Sequence, residues 1–421
     1  MKFLIRGGKK LSGEIKVNGA KNSALKAMAA SLLFDSPIRI NNVPAIEDVT
    51  RMTELLEGLG VKIENGKREK LEIDPRGVSG HELKREIAKR LRASIVLVGP
   101  ILARSGRAVF PYPGGCVIGK RPIDIFLDGW KAMGAKVEEV KGNGFEITAK
   151  KLKGVDFTFR VVSVTGTETL MMTAALAHGK TILRNAAMEP EIAALAEFLN
   201  DSGAQIKGAG TPTMEIEGTG GKLLRAGKAF EVMPDRIEAG SFLILGAALG
   251  KKVKVTGCNP DHLSALLAKL RDAGVELKVE NGSITVSRPR KLLATDVQTR
   301  EYPGFPTDLQ APFAALMTQA QGESVIFETI FENRFGYAED LKRIGADIFL
   351  ADTHRIVVKG QGALRGREIE SPDLRAGLAF IIAALLASGE STISNVYQID
   401  RGYEKIDERL RSLGAEIERR E

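Results

Sequence analysis

The segment at residues 261–286, DHLSALLAKLRDAGVELKVENGSITV, contains the pattern that organises the whole chain. Four leucines recur at the spacing of one helix face, with charged residues between them, which predicts an amphipathic helix. They are Leu263, Leu266, Leu267 and Leu270. The helix should end at Gly274, and the alternating residues on either side of Asn281-Gly282 predict a tight β-hairpin.

The phrase that ends this helix, Gly-(Ala/Val)-x-(Ile/Val/Leu), occurs six times. Its glycines are Gly60, Gly134, Gly203, Gly274, Gly345 and Gly414. The spacings of 74, 69, 71, 71 and 69 residues indicate six repeats that account for all 421 residues.

Most repeats also contain an apolar segment ahead of a short strand and the amphipathic helix. These segments are 23–34, 169–178, 240–250, 309–322 and 377–389. Because they are apolar on nearly every side, they predict buried helices, which a single repeat of this size cannot cover. We therefore expect an α/β fold with two domains of three repeats. Strands at 2–5 and 14–17 belong with the last repeats, so one domain comprises 1–20 plus 233–421 and the other 21–232, with a cleft between them.

Composition narrows the class of protein. Lys and Arg number 61 against 53 Asp and Glu, and this excess of positive charge favours anionic partners without specifying which. Two cysteines cannot form a disulfide framework. The longest apolar stretch, 376–389, is too short for a membrane span of about 20 residues. We expect a cytoplasmic protein that does not enter the membrane.

The starts of the apolar helices are polar. Ser, Asp and Asn are common helix caps, and that is their simplest interpretation. Basic residues are unfavourable at the positive end of a helix dipole, so they need another explanation. They are Lys21, Arg92, Arg236 and Arg375. A bound anion would explain them.

The second repeat is longer than the others. Arg92 precedes its glycine by 42 residues, whereas the corresponding distance in three other repeats is 38 residues. The added residues fall in 111–122, PYPGGCVIGKRP, where glycines flank Cys116 and the nearby Lys120 and Arg121 favour a thiolate. Cys116 is therefore a candidate acid or nucleophile, with an incidental surface thiol as the alternative. Cys258 has no such surroundings and should be structural.

Corresponding loops of the last two repeats contain Glu332-Asn333-Arg334 and Asp400-Arg401-Gly402-Tyr403. Surface ion pairs are the simplest interpretation. Their positions match that of Arg121, however, which suggests arginines that converge on a carboxylate or phosphate. The four histidines lack zinc-binding spacing, and Gly179-Lys180-Thr181 follows a helix instead of the strand that a P-loop requires. We expect no metal and no organic cofactor.

Seven phrases together resemble the enolpyruvyl transferase family, specifically its branch in bacterial peptidoglycan synthesis. They are Asn18-Gly19-Ala20-Lys21-Asn22, Arg92-Ala93-Ser94, the Pro113–Pro122 segment with Cys116 and Arg121, Phe305-Pro306-Thr307-Asp308, Phe331-Glu332-Asn333-Arg334-Phe335, Asp373-Leu374-Arg375 and Asp400-Arg401-Gly402-Tyr403. The resemblance covers the full chain in order. It implies two inside-out α/β barrel-like domains, each of three β-α-β-α-β-β repeats with buried helices, and an active site in the interdomain cleft.

The implied reaction transfers the enolpyruvyl group of phosphoenolpyruvate to the 3′-hydroxyl of UDP-N-acetylglucosamine and releases phosphate, the first committed step of peptidoglycan synthesis. Both partners are small molecules, and no nucleic acid is involved. In this resemblance Lys21, Arg121 and Arg401 hold phosphoenolpyruvate. The residues that would contact the nucleotide sugar are Asn22, Arg92, Arg121, Pro122, Ile123, Asp124, Ile125, Ser163, Val164, Asp308 and Ile330.

The resemblance also assigns chemical roles. Asp308 would be the base for the sugar hydroxyl, and Cys116 the acid, able also to form an adduct with phosphoenolpyruvate. Arg334, Asp373 and Arg375 would shape the closed site. Many relatives have a lysine just before the serine equivalent to Ser163, whereas this chain has two valines there, with Arg160 the nearest cation.

Two alternatives remain. The shikimate branch of the family shares the repeats and phosphoenolpyruvate but lacks the Pro-Gly-Gly-Cys loop. A ring-shaped DNA clamp also has six α/β repeats and a basic charge, but it should line its channel with helices rich in Lys and Arg. Here the first helix of each repeat is apolar and the second carries both signs of charge.

Overall fold

The computed structural model describes residues 1–66, 70–114, 122–140, 142 and 144–421. The chain forms two compact units, each with its own hydrophobic core. The C-terminal unit comprises Met1–Asn18 and Pro234–Glu421, and the N-terminal unit comprises the described residues within 19–114 and 122–233. The borders after Asn18 and Met233 lie within two residues of the expected positions.

Two strands open the chain: β1 (Lys2–Arg6) and β2 (Leu11–Lys16). The first repeat contains α1 (Lys21–Ala30), β3 (Ile38–Asn41), α2 (Glu47–Gly58), β4 (Lys62–Gly66) and β5 (Lys70–Asp74). The second contains α3 (Arg85–Ala88), a 3₁₀ segment (Arg92–Leu97), α4 (Val98–Ser105), β6 (Arg107–Phe110), α5 (Asp124–Ala132), β7 (Lys136–Val140) and β8 (Gly144–Thr148). The third contains β9 (Asp156–Thr158), α6 (Val164–Ala175), β10 (His178–Arg184), α7 (Pro190–Asp201), β11 (Gln205–Lys207), β12 (Thr213–Thr219) and β13 (Phe230–Glu231).

The last three repeats form the rest of the C-terminal unit. The fourth contains α8 (Arg236–Leu249), β14 (Gly250–Thr256), α9 (Ser264–Asp272), β15 (Glu276–Glu280) and β16 (Ser283–Ser287). The fifth contains β17 (Val297–Gln298), a 3₁₀ turn (Thr307–Leu309), α10 (Gln310–Met317), β18 (Glu323–Phe327), α11 (Tyr337–Ile344), β19 (Asp347–Asp352) and β20 (Arg355–Lys359). The sixth contains β21 (Glu368–Glu370), α12 (Leu374–Leu386), β22 (Glu390–Ser394), α13 (Tyr397–Asp400), α14 (Ile406–Ser412) and β23 (Glu416–Arg420).

The sheets repeat with the sequence, and six are present in the described part of the chain. In the fifth repeat, for example, β18 lies between β17, to which it is parallel, and β20, to which it is antiparallel. The two N-terminal strands complete sheets of later repeats: β2 is parallel to β14, and β1 lies between β22 and β23. The prediction of two strands at the end of every repeat is therefore wrong for the sixth, because β1 occupies the place of its second hairpin strand.

The six repeated glycines end the amphipathic helices in one way. All six have φ between +82° and +113°, the left-handed region that a side chain makes unfavourable. The residue after each glycine donates its N–H to the carbonyl five residues earlier, as Val275 does to Leu270 at 2.9 Å. This helix-ending motif reverses the chain, so the repeated phrase has a direct structural cause.

The apolar helices are buried, as predicted, and three of them begin directly after a polar residue that caps them, as the capping interpretation expects. The helix α8 begins at Arg236 because Asp235 accepts hydrogen bonds from the N–H groups of Ile237 and Glu238. The helix α12 begins at Leu374 because Asp373 caps it in the same way, and α6 begins at Val164 after the cap Ser163. Three of these helices, α8, α10 and α12, pack against one another inside the C-terminal unit. In the described residues, every helix is too short or too polar to cross a membrane.

We expect Gly414→Ala to lower the free energy of unfolding by about 1–2 kcal/mol, because alanine is strained at a left-handed φ. Gly414 has φ +96°, and an added Cβ would meet no atom within 4 Å, so conformational strain is the only cost. Gly336→Ala is the matched control, since that Cβ also meets nothing within 4 Å and its φ is −53°. Urea unfolding measures both, and equal losses would contradict the role of the glycine.

Candidate active site

Asp308 is the centre of a charged cluster in the C-terminal unit. Arg334 Nη2 donates to its Oδ1 at 2.8 Å, and Arg375 Nε donates to its Oδ2 at 3.0 Å. The two arginine side chains are 6% and 7% exposed, whereas Asp308 is 28% exposed. Two buried guanidinium groups stabilise an ionised carboxylate, and the ionised form is the one that accepts a proton.

A chain of hydrogen bonds fixes Arg375. Its Nη1 donates to the Tyr403 hydroxyl at 3.1 Å, and this hydroxyl is 2.9 Å from Ser241 Oγ. Ser241 Oγ donates to the carbonyl of Ile237 at 2.7 Å, so Tyr403 donates to Ser241. Burial raises the pKa of Tyr403, which therefore keeps its proton and remains both donor and acceptor. Asp373 accepts from the backbone N–H of Arg375 at 2.8 Å and fixes the start of the same helix.

The loop after β18 contributes Ile330 and Arg334. The Arg334 guanidinium lies 5.3 Å from the centre of the Phe331 ring, and its Nη1 is buried without a hydrogen-bond partner among the described residues. Because Arg334 is buried and pairs with Asp308, the interpretation of this arginine as part of a surface ion pair is wrong. Arg401 is also buried, and it donates to Gln398 Oε1 at 3.1 Å.

Lys21 and Asn22 are the first two residues of α1 in the N-terminal unit. Within the part of the chain that the structure describes, this helix begins without a side-chain cap, so its first N–H groups make no bond to a capping side chain there. Lys21 Nζ lies 3.3 Å from Asp48 Oδ2. Sequence reasoning missed Asp48, since an acid in the first turn of an amphipathic helix is ordinary.

Arg160 connects two other parts of the expected nucleotide site. It pairs with Asp124, the first residue of α5, and with Asp128 at 3.6 Å. Ser163 caps α6, its Oγ accepting from the N–H of Gly166 at 3.1 Å, which confirms the capping interpretation there. Val164 is the first residue of this helix. Arg160 therefore pairs with α5 from the segment that leads into α6, a contact that the sequence indicated only by placing this basic residue nearest Ser163.

The remaining candidates divide by exposure. Pro122 is exposed, but Ile123 and Ile125 are buried in the core, so their side chains are not available to a ligand. Arg92 Nη1 donates to the carbonyl of Pro113 at 3.3 Å. Cys116 and Arg121 lie outside the described residues. Cys258 is buried, as expected for a structural cysteine, and burial raises the pKa of its thiol.

Sequence analysis also missed a buried ion pair in the N-terminal unit. Lys26 Nζ on α1 lies 3.0 Å from Glu168 Oε2 on α6, and both side chains are almost completely buried. Burial raises the pKa of Glu168 to about 7; Lys26 opposes the shift, and the charges of Glu191 and Glu189 add to it. Among the described residues, no three His, Cys, Asp or Glu side chains form a group that could hold a metal ion.

Comparison with known proteins gives the class. A family model described as EPSP synthase (3-phosphoshikimate 1-carboxyvinyltransferase) matches residues 5–410, and the chain belongs to this family. It is therefore a transferase. The resemblance to enolpyruvyl transferases is confirmed, and the DNA-clamp alternative is excluded.

Similar proteins point to one branch of this family. The UDP-N-acetylglucosamine 1-carboxyvinyltransferase of Desulforapulum autotrophicum is 46% identical over 418 residues, which is 99% of each chain. The enzyme of the same name from Koribacter versatilis is 45% identical over 421 residues, covering 99% of this chain and 96% of its own. Among solved structures, the enolpyruvyl transferase NikO from Streptomyces tendae is 26% identical and has a TM-score of 0.90, covering 99% of this chain and 98% of its own.

We expect Lys26→Met to destabilise the protein more at pH 8 than at pH 6. The pKa of Glu168 is about 7 when folded against an ordinary 4.5, so the free energy of unfolding falls as pH rises through this interval. Lys26 opposes this shift, so its loss raises the pKa of Glu168 further; at pH 8 the variant must either protonate Glu168 or bury its uncompensated charge, which costs up to about 3–5 kcal/mol. At pH 6 Glu168 can remain protonated, so the loss is smaller.

Urea unfolding at the two pH values measures this difference. The double variant Lys26→Met/Glu168→Gln is the control, because without the ionisable group its stability should depend less on pH. The same loss at pH 6 and pH 8 in Lys26→Met would contradict the prediction.

Proposed function

We propose that the protein transfers the enolpyruvyl group of phosphoenolpyruvate to the 3′-hydroxyl of UDP-N-acetylglucosamine and releases phosphate, in the cytoplasm. The observation that carries this proposal is the name shared by relatives 44–46% identical over almost the full chain. The Asp308 cluster supports it, because it presents a carboxylate base beside fixed cations. The inside-out form of both domains and the cleft between them are part of the same proposal.

Asp308 is the proposed base. Its partners Arg334 and Arg375 hold the carboxylate in one orientation and stabilise its charge. A carboxylate accepts the hydroxyl proton as the sugar oxygen forms its bond to C2 of phosphoenolpyruvate. Asp373 and Tyr403 act on this step through Arg375.

Phosphoenolpyruvate is the proposed ligand of Lys21, Arg121 and Arg401. It carries a phosphate and a carboxylate, and both suit basic side chains. Cys116 donates a proton to the methylene carbon as the sugar oxygen attacks C2. Loss of phosphate from C2 and of one proton from the new methyl group then restores the double bond, which leaves an enol ether and inorganic phosphate.

The nucleotide part of the sugar substrate is assigned to both units. We propose that Asn22, Arg92, Pro122 and the starts of α5 and α6, at Asp124 and Ser163–Val164, contact it from the N-terminal unit, and Ile330 from the C-terminal unit. Ile123 and Ile125 would contribute only their backbone, since their side chains are buried. Arg160 is the nearest cation to Ser163 in the sequence, and its pairing with Asp124 keeps it at this site.

Acceptor choice tests the reaction. We expect phosphate release from phosphoenolpyruvate in the presence of UDP-N-acetylglucosamine and none with shikimate 3-phosphate. A colorimetric phosphate assay with each acceptor separately measures this, and omission of the acceptor is the control. Release with shikimate 3-phosphate alone would overturn the assignment and leave the family unchanged.

The proposed acid makes a second prediction. Cys116→Asp should keep part of the turnover, because a carboxyl group can donate a proton, and should lose inactivation by the epoxide fosfomycin, because the soft nucleophile is absent. Cys116→Ser should be much less active, since a hydroxyl is a weak acid near neutral pH. Phosphate release and mass spectrometry of the modified peptide measure both effects.

Cys258→Ser is the matched control. Cys258 is buried and has no proposed role in the reaction, so this variant should keep the turnover and the fosfomycin inactivation of the wild type. Full activity of Cys116→Ser, or fosfomycin attached at Cys258, would remove Cys116 from the mechanism.

A further inference from the structure

One position of the repeat shows how the fold normally connects a central strand to the next loop. This position is the first residue after the central strand. In three repeats it is an asparagine with a left-handed backbone. The Nδ2 of this asparagine donates to the carbonyl of the residue that follows the parallel neighbouring strand. The asparagines are Asn42, Asn185 and Asn395, with φ of 57°, 54° and 57°. Their acceptors are the carbonyls of Val232, Phe159 and Ser371, at 2.8, 2.9 and 3.0 Å. In the fourth repeat the residue is Gly257, with φ +66°.

The fifth repeat has Glu328 at this position, outside the left-handed region. The side chain is completely buried. Among the described residues, four donors face its carboxylate. They are Thr299 Oγ1 (3.0 Å), Ile330 N (2.8 Å) and Phe331 N (3.1 Å) to Oε1, and Thr307 Oγ1 (2.7 Å) to Oε2. In the fifth repeat, therefore, a buried carboxylate that accepts hydrogen bonds at both oxygens takes the place of the neutral asparagine side chain.

These bonds join two parts of the candidate site. Thr307 is the neighbour of Asp308 in the 3₁₀ turn before α10, so Glu328 Oε2 holds the backbone that presents the base. The backbone N–H groups of Ile330 and Phe331 donate to Oε1. The Phe331 ring in turn lies against the guanidinium of Arg334, which donates to Asp308. One carboxylate thus connects the turn that carries Asp308 to the loop that carries its partner.

The backbone of Glu328 is held as firmly as its side chain. Its N–H donates to the carbonyl of His354 at 2.8 Å, and its own carbonyl is 2.8 Å from His354 Nδ1. Thr299 Oγ1, which donates to Glu328, also accepts from the N–H of Thr329 at 2.9 Å. Both ends of the side chain therefore have fixed positions, which a group that orients others requires.

We propose that Glu328 is a positioning residue of the enolpyruvyl transfer reaction, which sets the relative placement of the Asp308 turn and the 330–331 backbone for the nucleotide sugar. The inference rests on the proposed function for its substrate. A purely structural role does not account for the residue, because three other repeats make the same connection with asparagine. Burying a carboxylate among neutral donors is costly, so the substitution is expected only where the bonds to Thr307 and to the 330–331 amides are needed.

The second repeat supports this argument. There the equivalent residue is Pro111, directly after β6, and it begins the segment that contains Cys116. Of the six equivalent positions, only Pro111 and Glu328 are neither asparagine nor glycine, and each begins a loop with a proposed role in the reaction. The two repeats that lack asparagine or glycine at this position are thus the two whose following loops have these proposed roles.

Three variants test the proposal. Glu328→Asn introduces the residue that other repeats use, and it is too short to bond both Thr307 and the 330–331 amides. We expect kcat/KM for UDP-N-acetylglucosamine to fall about 100-fold, as misplacement by about 1 Å can cause, while KM for phosphoenolpyruvate changes by less than about threefold. Glu328→Gln should recover most of the loss, because its amide oxygen still accepts from both N–H groups and Thr307 can accept from its amide nitrogen.

Ser324→Ala is the matched control. Ser324 lies near the start of β18, the strand that Glu328 follows; it is completely buried, and its Oγ accepts from the N–H of Thr295 at 2.9 Å. It should lower the melting temperature and leave both kinetic constants unchanged. If Ser324→Ala changed kcat/KM as much as Glu328→Asn, Glu328 would be structural only.

Amide hydrogen exchange provides a readout that does not depend on turnover. The amides of Ile330 and Phe331 should exchange faster in Glu328→Asn than in the wild type, with Glu328→Gln in between. If the wild type releases no phosphate with UDP-N-acetylglucosamine, the proposed function fails, and the exchange rates still decide whether Glu328 holds this backbone. Unchanged exchange at both amides in Glu328→Asn would overturn the inference.

Discussion

The structure depends on one constraint: each repeat contains a helix that is apolar on nearly all sides and must be buried by other repeats. In the C-terminal unit the constraint is met by packing α8, α10 and α12 against one another, with the sheets around them. The packing also brings the starts of these helices together. Asp308 before α10 contacts Arg375 at the start of α12, and Arg375 reaches α8 through Tyr403 and Ser241. The hydrophobic packing of the three helices therefore brings together the charged residues of the candidate active site.

Charge at that place is balanced by local partners. Asp308 is held by two guanidinium groups, and Glu328 is held by neutral hydroxyl and amide donors. A buried group left without such partners would cost several kcal/mol, so each of these bonds constrains the geometry as well as the charge. In the N-terminal unit Lys26 and Glu168 pair in the interior, where the sequence has no motif to mark them.

Comparison of equivalent positions in the six repeats separates residues that the fold requires from residues with a proposed role in the reaction. The six glycines that end the amphipathic helices are the same in every repeat because a left-handed backbone requires them. The residue after the central strand is asparagine or glycine in four repeats and differs in two. Alignment of the six repeats with each other is enough to single out Glu328 and Pro111, since both differ from the residues at the equivalent positions.

The sequence by itself determined the six repeats, the buried and amphipathic helices, the hairpins, the assignment of the two N-terminal strands and the family, because these follow from periodicities and local motifs. It also named Asp308, Arg334, Asp373 and Arg375 as candidates. Only the tertiary structure decided that Asp308 lies between two buried arginines, that Tyr403 and Ser241 orient one of them, and that Arg160 pairs with Asp124. Periodicity specifies which face of an element is buried, but contacts between residues that are distant in the chain depend on how several elements pack at once.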